Sequence, residues 1–109
     1  MDAKHPLLIS ACGYIEINLH RKITMLELKQ HTKCSERSLQ LIFKKHLNKS
    51  PFEYIEEQRL LKAHELIKQY KQSKKITDIA HEAGFRHLGR FSVKFKRRFG
   101  VSASDLAKL

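Results

Sequence analysis

Hydrophobic positions recur with a helical period along most of the chain. Leu8, Cys12, Ile15 and Leu19 follow the i, i+4, i+7, i+11 spacing of an amphipathic first helix. Thr24-x-x-Glu27 is a capping-box pattern, so a second helix is expected to begin near Met25. Ser35 reads as the N-cap of a third that runs to about Leu47, with Leu39, Ile42, Phe43 and Leu47 facing inward. In "NKSPFEYIEEQRLLKAHELIKQY", Ser50 as cap, Pro51 at the first helical position and Glu53 three residues past the cap agree on a start. No breaker follows until Ser73, which predicts a longest helix over about 51–70. "KQSKK" at 71–75 is the only linker-like stretch. Thr77 is then expected to cap a short helix through Ala83, and Gly84 to end it as the left-handed residue of a turn. A basic helix closes at Gly100, and Ser102 with Asp105 caps a last turn. Four glycines, two prolines and no β-branched runs agree with an all-α fold of about seven helices.

The two halves repeat each other. With an offset of 52, Leu39 falls on Phe91, Phe43 on Phe95, Lys44 on Lys96, Leu47 on Phe99 and Ser50 on Ser102. "KIT" occurs at 22–24 and again at 75–77, each time followed by a short helix, a tight turn and a longer basic helix. Two copies separated by a long helix make a duplicated helix-turn-helix, not a solenoid. The division expected is a first helix-turn-helix subdomain over 7–50, a linker helix over 51–70 and a second subdomain over 71–109.

Charge then narrows the function. Lys and Arg total 22 against 11 acidic residues, a formal net charge of +11, with a sequence pI near 9.9. Such an imbalance opposes compaction, and nucleic acid is the partner it suits best. An anionic membrane surface or an acidic protein comes next. Phe91, Phe95 and Phe99 recur every fourth residue and share one face, whereas Arg86, Arg90 and Arg97 fall on the other. That spacing matches a buried stripe; stacking on bases is the alternative.

Other chemistry finds little support. Cys12 and Cys34 lie in stretches that read as helical and far apart, consistent with buried thiols in a reducing, cytosolic compartment. No window of 18 apolar residues exists, so no membrane span is expected. The opening "MDAKHP" has neither an apolar core nor a cleavage site, and reads as a short tail. "HEAGF" lacks the second His of the zinc-protease pattern, and His31 with Cys34 has no matching pair. Without a Gly-rich phosphate loop, nucleophile elbow or paired acidic motif, neither an enzyme nor a cofactor is expected.

The stretches "ITDIAHEAGF", "FSVKFKRRFGVS", "SERSLQLIFKKHLNKSPFEYI" and Arg59-Leu60-x-x-Ala63-x-x-Leu66 together resemble the DNA-binding domain of the AraC/XylS family of bacterial transcription regulators. The resemblance covers nearly the whole chain. It implies two helix-turn-helix subdomains on a rigid helix, sequence-specific DNA binding and transcription regulation, usually activation. RNA polymerase and a separate sensor or dimerisation domain on a longer chain are partners compatible with it. Lys29 and Lys33 stand where the family pattern has Ala and Gly; the second copy keeps both, as Ala80 and Gly84. A lysine at that turn costs about 1 kcal/mol. Ala103 replaces a usual proline.

A helix fits the major groove and its N-terminal residues reach base edges; in the first copy these are Glu36, Arg37, Ser38, Gln40 and Leu41. The family's base-reading positions map onto Arg37, Gln40 and Leu41 in the first copy. In the second the equivalent positions are Arg86, His87, Leu88, Gly89, Arg90, Ser92 and Val93. Arg suits the O6 and N7 of guanine, and Gln the N6 and N7 of adenine. Gly89 costs about 1 kcal/mol inside a helix, for which close approach to DNA and tight helix packing are both explanations. Ser35, Lys44, Lys45, Lys94, Lys96, Arg97 and Arg98 suit phosphates. For any single lysine an ordinary solvated residue is an equal reading. A linker of about 20 residues spans about 30 Å, close to the roughly 34 Å turn of B-DNA. Two different readers so joined call for an asymmetric duplex operator. A helical module that binds nucleic acid without sequence preference, or docks an acidic protein, is the alternative; it explains the charge but not the duplication.

Overall fold

Seven α-helices and one short 3-10 turn organise the computed structural model, which describes residues 5–109. The first four residues of the expected N-terminal tail lie outside the described residues. The helices are α1 (Pro6–Ile17), α2 (Met25–Thr32), α3 (Glu36–Leu47), α4 (Pro51–Tyr70), α5 (Ile76–Glu82), α6 (Leu88–Phe99) and α7 (Ala103–Ala107). No strand occurs among the described residues.

The starts are set by local hydrogen bonds. Thr24 and Glu27 close the expected capping box: the Glu27 amide donates to Thr24 Oγ1 at 3.2 Å and the Thr24 amide to Glu27 Oε2 at 2.9 Å. Ser50 and Glu53 do the same at the head of α4, at 3.1 and 2.8 Å. The Asp105 amide donates to Ser102 Oγ at 3.0 Å at the head of α7. Helix α5 departs from expectation. It begins at Ile76 with Lys75 as an N-cap that offers no side-chain bond, so Thr77 lies inside the helix. Three residues past Thr77 stands Ala80, which closes no box; three past Lys75 stands Asp78, a carboxylate in the first turn where the helix dipole favours it. Two smaller differences share one cause, a helix ending early. Leu19 is buried but lies beyond the end of α1, and Cys34 sits in the turn after Lys33, half-buried.

By packing, the chain divides into two units whose boundary falls within α4, between Glu56 and Glu57. The first core gathers Leu8, Ala11, Cys12 and Ile15 of α1, Leu28 of α2, Leu39 and Phe43 of α3, and Tyr54 and Ile55 of α4. Phe43 and Tyr54 meet edge to face at 5.7 Å. Burial pushes the Cys12 thiol and the Tyr54 phenol pKa values up.

The second core takes Leu60, Ala63 and Ile67 from α4 and closes them over Ile79, Ala80, Phe91 and Phe95. Its centre is a ladder of rings: Phe85–Phe91 at 4.9 Å, Phe91–Phe95 at 5.4 Å and Phe95–Phe99 at 4.7 Å. His64 adds a fifth ring, 4.4 Å from Phe99. Desolvation there, with Lys68 and Arg98 nearby, holds the His64 pKa below its usual value. The phenylalanine stripe is therefore core, as its spacing indicates. The linker helix is part of both cores, with Tyr54 and Ile55 in one and Leu60, Ala63 and Ile67 in the other.

Candidate nucleic-acid interface

Each unit presents one basic helix through a tight turn. In the first, α2 ends at Lys33, whose φ of 58° and ψ of 36° place a lysine in the left-handed region. Ser35 then starts α3 by accepting the Ser38 amide at 3.1 Å. In the second, α5 ends at Glu82 with Ala83 as its C-cap, and Gly84 turns the chain with φ 104°. The Phe85 amide returns to the Ala80 carbonyl at 2.9 Å, and α6 begins three residues past Gly84's neighbour Phe85, at Leu88. Counted from the residue at positive φ, Lys33 or Gly84, to the next helix, the turn is one residue longer in the second unit, and His87 caps α6 without a side-chain bond.

The first turn motif is braced from behind. Arg21 Nη2 donates to Glu27 and to Tyr14 Oη (2.9 Å), and Tyr14 Oη donates to Glu27 Oε1 at 2.6 Å. Arg21, Tyr14 and the Thr24 amide together hold the Glu27 carboxyl down to about 2.

The basic faces point outward. Arg37, Gln40, Leu41, Lys44 and Lys45 of α3 are exposed, as are Gly89, Arg90, Ser92, Val93, Lys96 and Arg97 of α6, while Lys94 is half-buried. Leu39 and Phe43, and Phe91 and Phe95, fill the opposite sides. At the repeat offset, Arg37 pairs with Gly89, Gln40 with Ser92, Leu41 with Val93, Lys44 with Lys96 and Lys45 with Arg97. The apolar and cationic positions match in kind, and the hydrogen-bonding ones do not. Gln40 Nε2 also donates to Glu36 Oε2 at 3.3 Å, which orients its amide along the helix.

Some expected site residues stand differently. Arg86 is exposed but lies in the turn, two residues before α6, and so does not occupy a helix start; the longer turn causes this. Arg98 makes a two-pronged ion pair with Glu57, at 2.9 and 3.1 Å from Nε and 2.9 Å from Nη2, which opposes the phosphate role expected of it. Ser35 Oγ holds the Ser38 amide and bonds Ser38 Oγ at 3.0 Å, so its hydroxyl is engaged too. A Cβ built on Gly89 meets nothing within 4 Å, which removes tight packing as the reason for that glycine.

Glu36 and its counterpart Leu88 stand among the first-turn residues expected to reach base edges. Both are exposed at the head of a basic helix. The repeat offset was the signal that pairs them. Among the described residues no cluster of His, Cys, Asp or Glu could hold a metal, and no helix is long and apolar enough to cross a membrane.

Residues 28–108 match the helix-turn-helix domain family of AraC type, which takes in both turn motifs and the helix between them. The chain belongs to the AraC/XylS family, as its DNA-binding domain. It is 35% identical over 105 residues to the HTH-type transcriptional regulator ArgR of Pseudomonas aeruginosa, an alignment covering 96% of this chain and 31% of that protein. It is 34% identical over 97 residues to the XylDLEGF operon transcriptional activator 2 of Pseudomonas putida, covering 88% and 62%. A probable AraC family transcriptional regulator from Rhodopseudomonas palustris superposes with a TM-score of 0.86 at 28% identity, over 95% of this chain and 96% of that one. The chain thus spans under a third of the length of ArgR. Sequence-specific DNA binding for transcription regulation is the function that AraC/XylS membership gives this domain.

Proposed function

We propose that α3 and α6 read two different segments of one asymmetric duplex operator in successive major grooves, and that the bound protein activates transcription. The observation that carries this reading is the pair of exposed basic faces, each backed by its own core and differing at the hydrogen-bonding positions. The 20-residue α4 has a length of about 30 Å, near one helical turn of DNA. Arg37 and Gln40 are the hydrogen-bonding readers of α3, with Leu41 beside them. Arg90 is that of α6, with Arg86 and His87 approaching from the turn and Gly89, Ser92 and Val93 on the same face.

Lys44, Lys45, Lys94, Lys96 and Arg97 hold phosphates and set register without reading sequence. Arg98 is better placed as a brace on Glu57. RNA polymerase as the protein partner of activation, and a separate sensor or dimerisation domain, belong to the same proposal; the activator named from Pseudomonas putida supports the activating role, and the greater length of ArgR the separate domain.

Selection of bound duplexes from a random pool tests the reading. An enriched, non-palindromic site is expected, with binding that falls steeply in salt. Roughly 6 to 8 phosphate contacts give a log–log slope of about −5 to −7. Equal binding to all duplexes would favour a non-specific nucleic-acid module, and a slope shallower than about −2 would assign the charge to another partner.

A further inference from the structure

Leu41 and Val93 are apolar side chains on faces made mostly of polar and charged residues. Both are 57% exposed, they occupy the same position of the duplicated motif, and each stands beside cations, Lys44 and Lys45 in α3 and Lys96 and Arg97 in α6. Neither contributes to a core. An exposed β-branched residue is also a poor choice for a helix on propensity grounds. What sets them apart from other exposed apolar residues is their matched place on the two basic faces, where an apolar group of the partner would cover them.

The major-groove edge of DNA offers one apolar group, the C5-methyl of thymine. We infer that Leu41 and Val93 each seat on a thymine methyl, so that every operator carries one methyl-read thymine under α3 and another under α6. The inference rests on the proposed operator reading and gives these two positions their chemistry. Gly89 extends it. Its ordinary helical backbone and the open space at its missing Cβ show that the fold does not require a glycine there. Without an arm like that of Arg37, the surface around Val93 is low, made of Gly89, Ser92 and Val93. It allows the backbone of α6 to lie closer to the base edges. Beside its methyl contact the second helix has Arg90 as a hydrogen-bonding reader, where the first has Arg37 and Gln40.

Replacing each thymine of a selected duplex by deoxyuridine, one at a time, tests this, since only the methyl is lost and base pairing is kept. One buried methyl corresponds to roughly a four-fold change in Kd. The unaltered protein is expected to lose about that much at one thymine in each end of the site. Val93→Ala should abolish the sensitivity at one end and leave the other, and Leu41→Ala the reverse. Both side chains are exposed, so the variants keep their cores. Sensitivity that persists unchanged in both variants overturns the inference, as does a selected site in which no thymine responds. If selection enriches no sequence at all, the operator reading itself falls and this inference with it, a result distinct from enrichment without methyl sensitivity.

Discussion

The two units are built from the same motif yet place their strain and their chemistry in opposite places. The first carries a costly turn and a rich reader: Lys33 is held in the left-handed region, and α3 offers Arg37, Gln40 and Leu41. The second carries a relaxed turn, with Gly84 at positive φ, and a helix face of Gly89, Arg90, Ser92 and Val93. Their cores differ as well. One is aliphatic around Phe43, and the other is a ladder of four phenylalanines and His64. The two copies share the buried stripe and the cations that make a helix-turn-helix stand, and differ at the exposed hydrogen-bonding positions. Specificity is thus expected to be unequal between the halves while stability is shared.

The cores give the largest effect by which to break this comparison. Phe95→Ala leaves a ring-sized hole between Phe91, Phe99 and His64, and should cost about 3–5 kcal/mol in the second unit. Phe43→Ala should cost a similar amount in the first. Hydrogen exchange resolved by residue checks which amides lose protection. If each change unprotects only its own unit, the boundary within α4 separates two folding units; loss throughout would make the chain one cooperative body.

Reading comes next in size. Arg37→Ala should blur one end of the selected operator and Arg90→Ala the other, each by about 1–3 kcal/mol at one base pair. Lys45→Ala should weaken every duplex by a similar factor and keep their ranking. Selection with the three variants gives the answer. Blurring of the same base pairs by both arginine changes would contradict two separate readers.

Two glycine exchanges, each worth up to about 1 kcal/mol, sharpen the contrast of turn and reader. Lys33→Gly relieves the left-handed lysine and should raise the melting temperature without altering site preference. Gly89→Ala should also stabilise, because a methyl there meets nothing. It should however weaken operator binding, since that space is reserved for DNA. Thermal melts paired with binding curves separate the two, and a Gly89→Ala protein that binds as before would make the glycine incidental.

How far the sequence foretold this architecture depended on the range of each interaction. The boxes at Thr24–Glu27 and Ser50–Glu53 were legible because both partners lie within four residues. The ring stripe was legible because its period is that of the helix. Thr77 misled because its neighbours resemble those of Thr24 while Ala80 replaces the carboxylate. The Arg98–Glu57 pair spans 41 positions and leaves no local trace, so Arg98 read as one more cation. The boundary within α4 was hidden because the helix is continuous, although its buried positions pass from Tyr54 and Ile55 to Leu60, Ala63 and Ile67. The exposed faces of α3 and α6 were readable from the repeat; the openness around Gly89 was not, since it depends on what the rest of the fold leaves empty.

Acid should separate the units most subtly, through the brace behind the first turn. Glu27 is held at about 2, first by Arg21 and then by Tyr14 and the Thr24 amide. An unfolded glutamate titrates near 4.3, so as pH falls the unfolded chain takes up this proton first. The contribution of Glu27 is therefore complete above about pH 4.5 and is lost as pH drops toward 2. At the corresponding place in the second unit α5 has no capping box, and its nearest acidic pairing, Lys74 with Glu82, is exposed and lowers the Glu82 pKa without a buried partner. Glu27→Gln should lower the stability of the first unit at pH 6 by more than it does at pH 2.5, where the unfolded glutamate is already protonated and most of the contribution has gone. The brace is largely solvent-facing, so the difference should be small, a shift of a few degrees in melting temperature at most. Melts of both proteins across this range, followed by exchange at amides of α2 and α5, are the measurement. A pH-independent gap between the proteins would mean that Glu27 acts only through its neutral hydrogen bonds, and equal acid sensitivity of α2 and α5 would mean that the brace does not distinguish the two units.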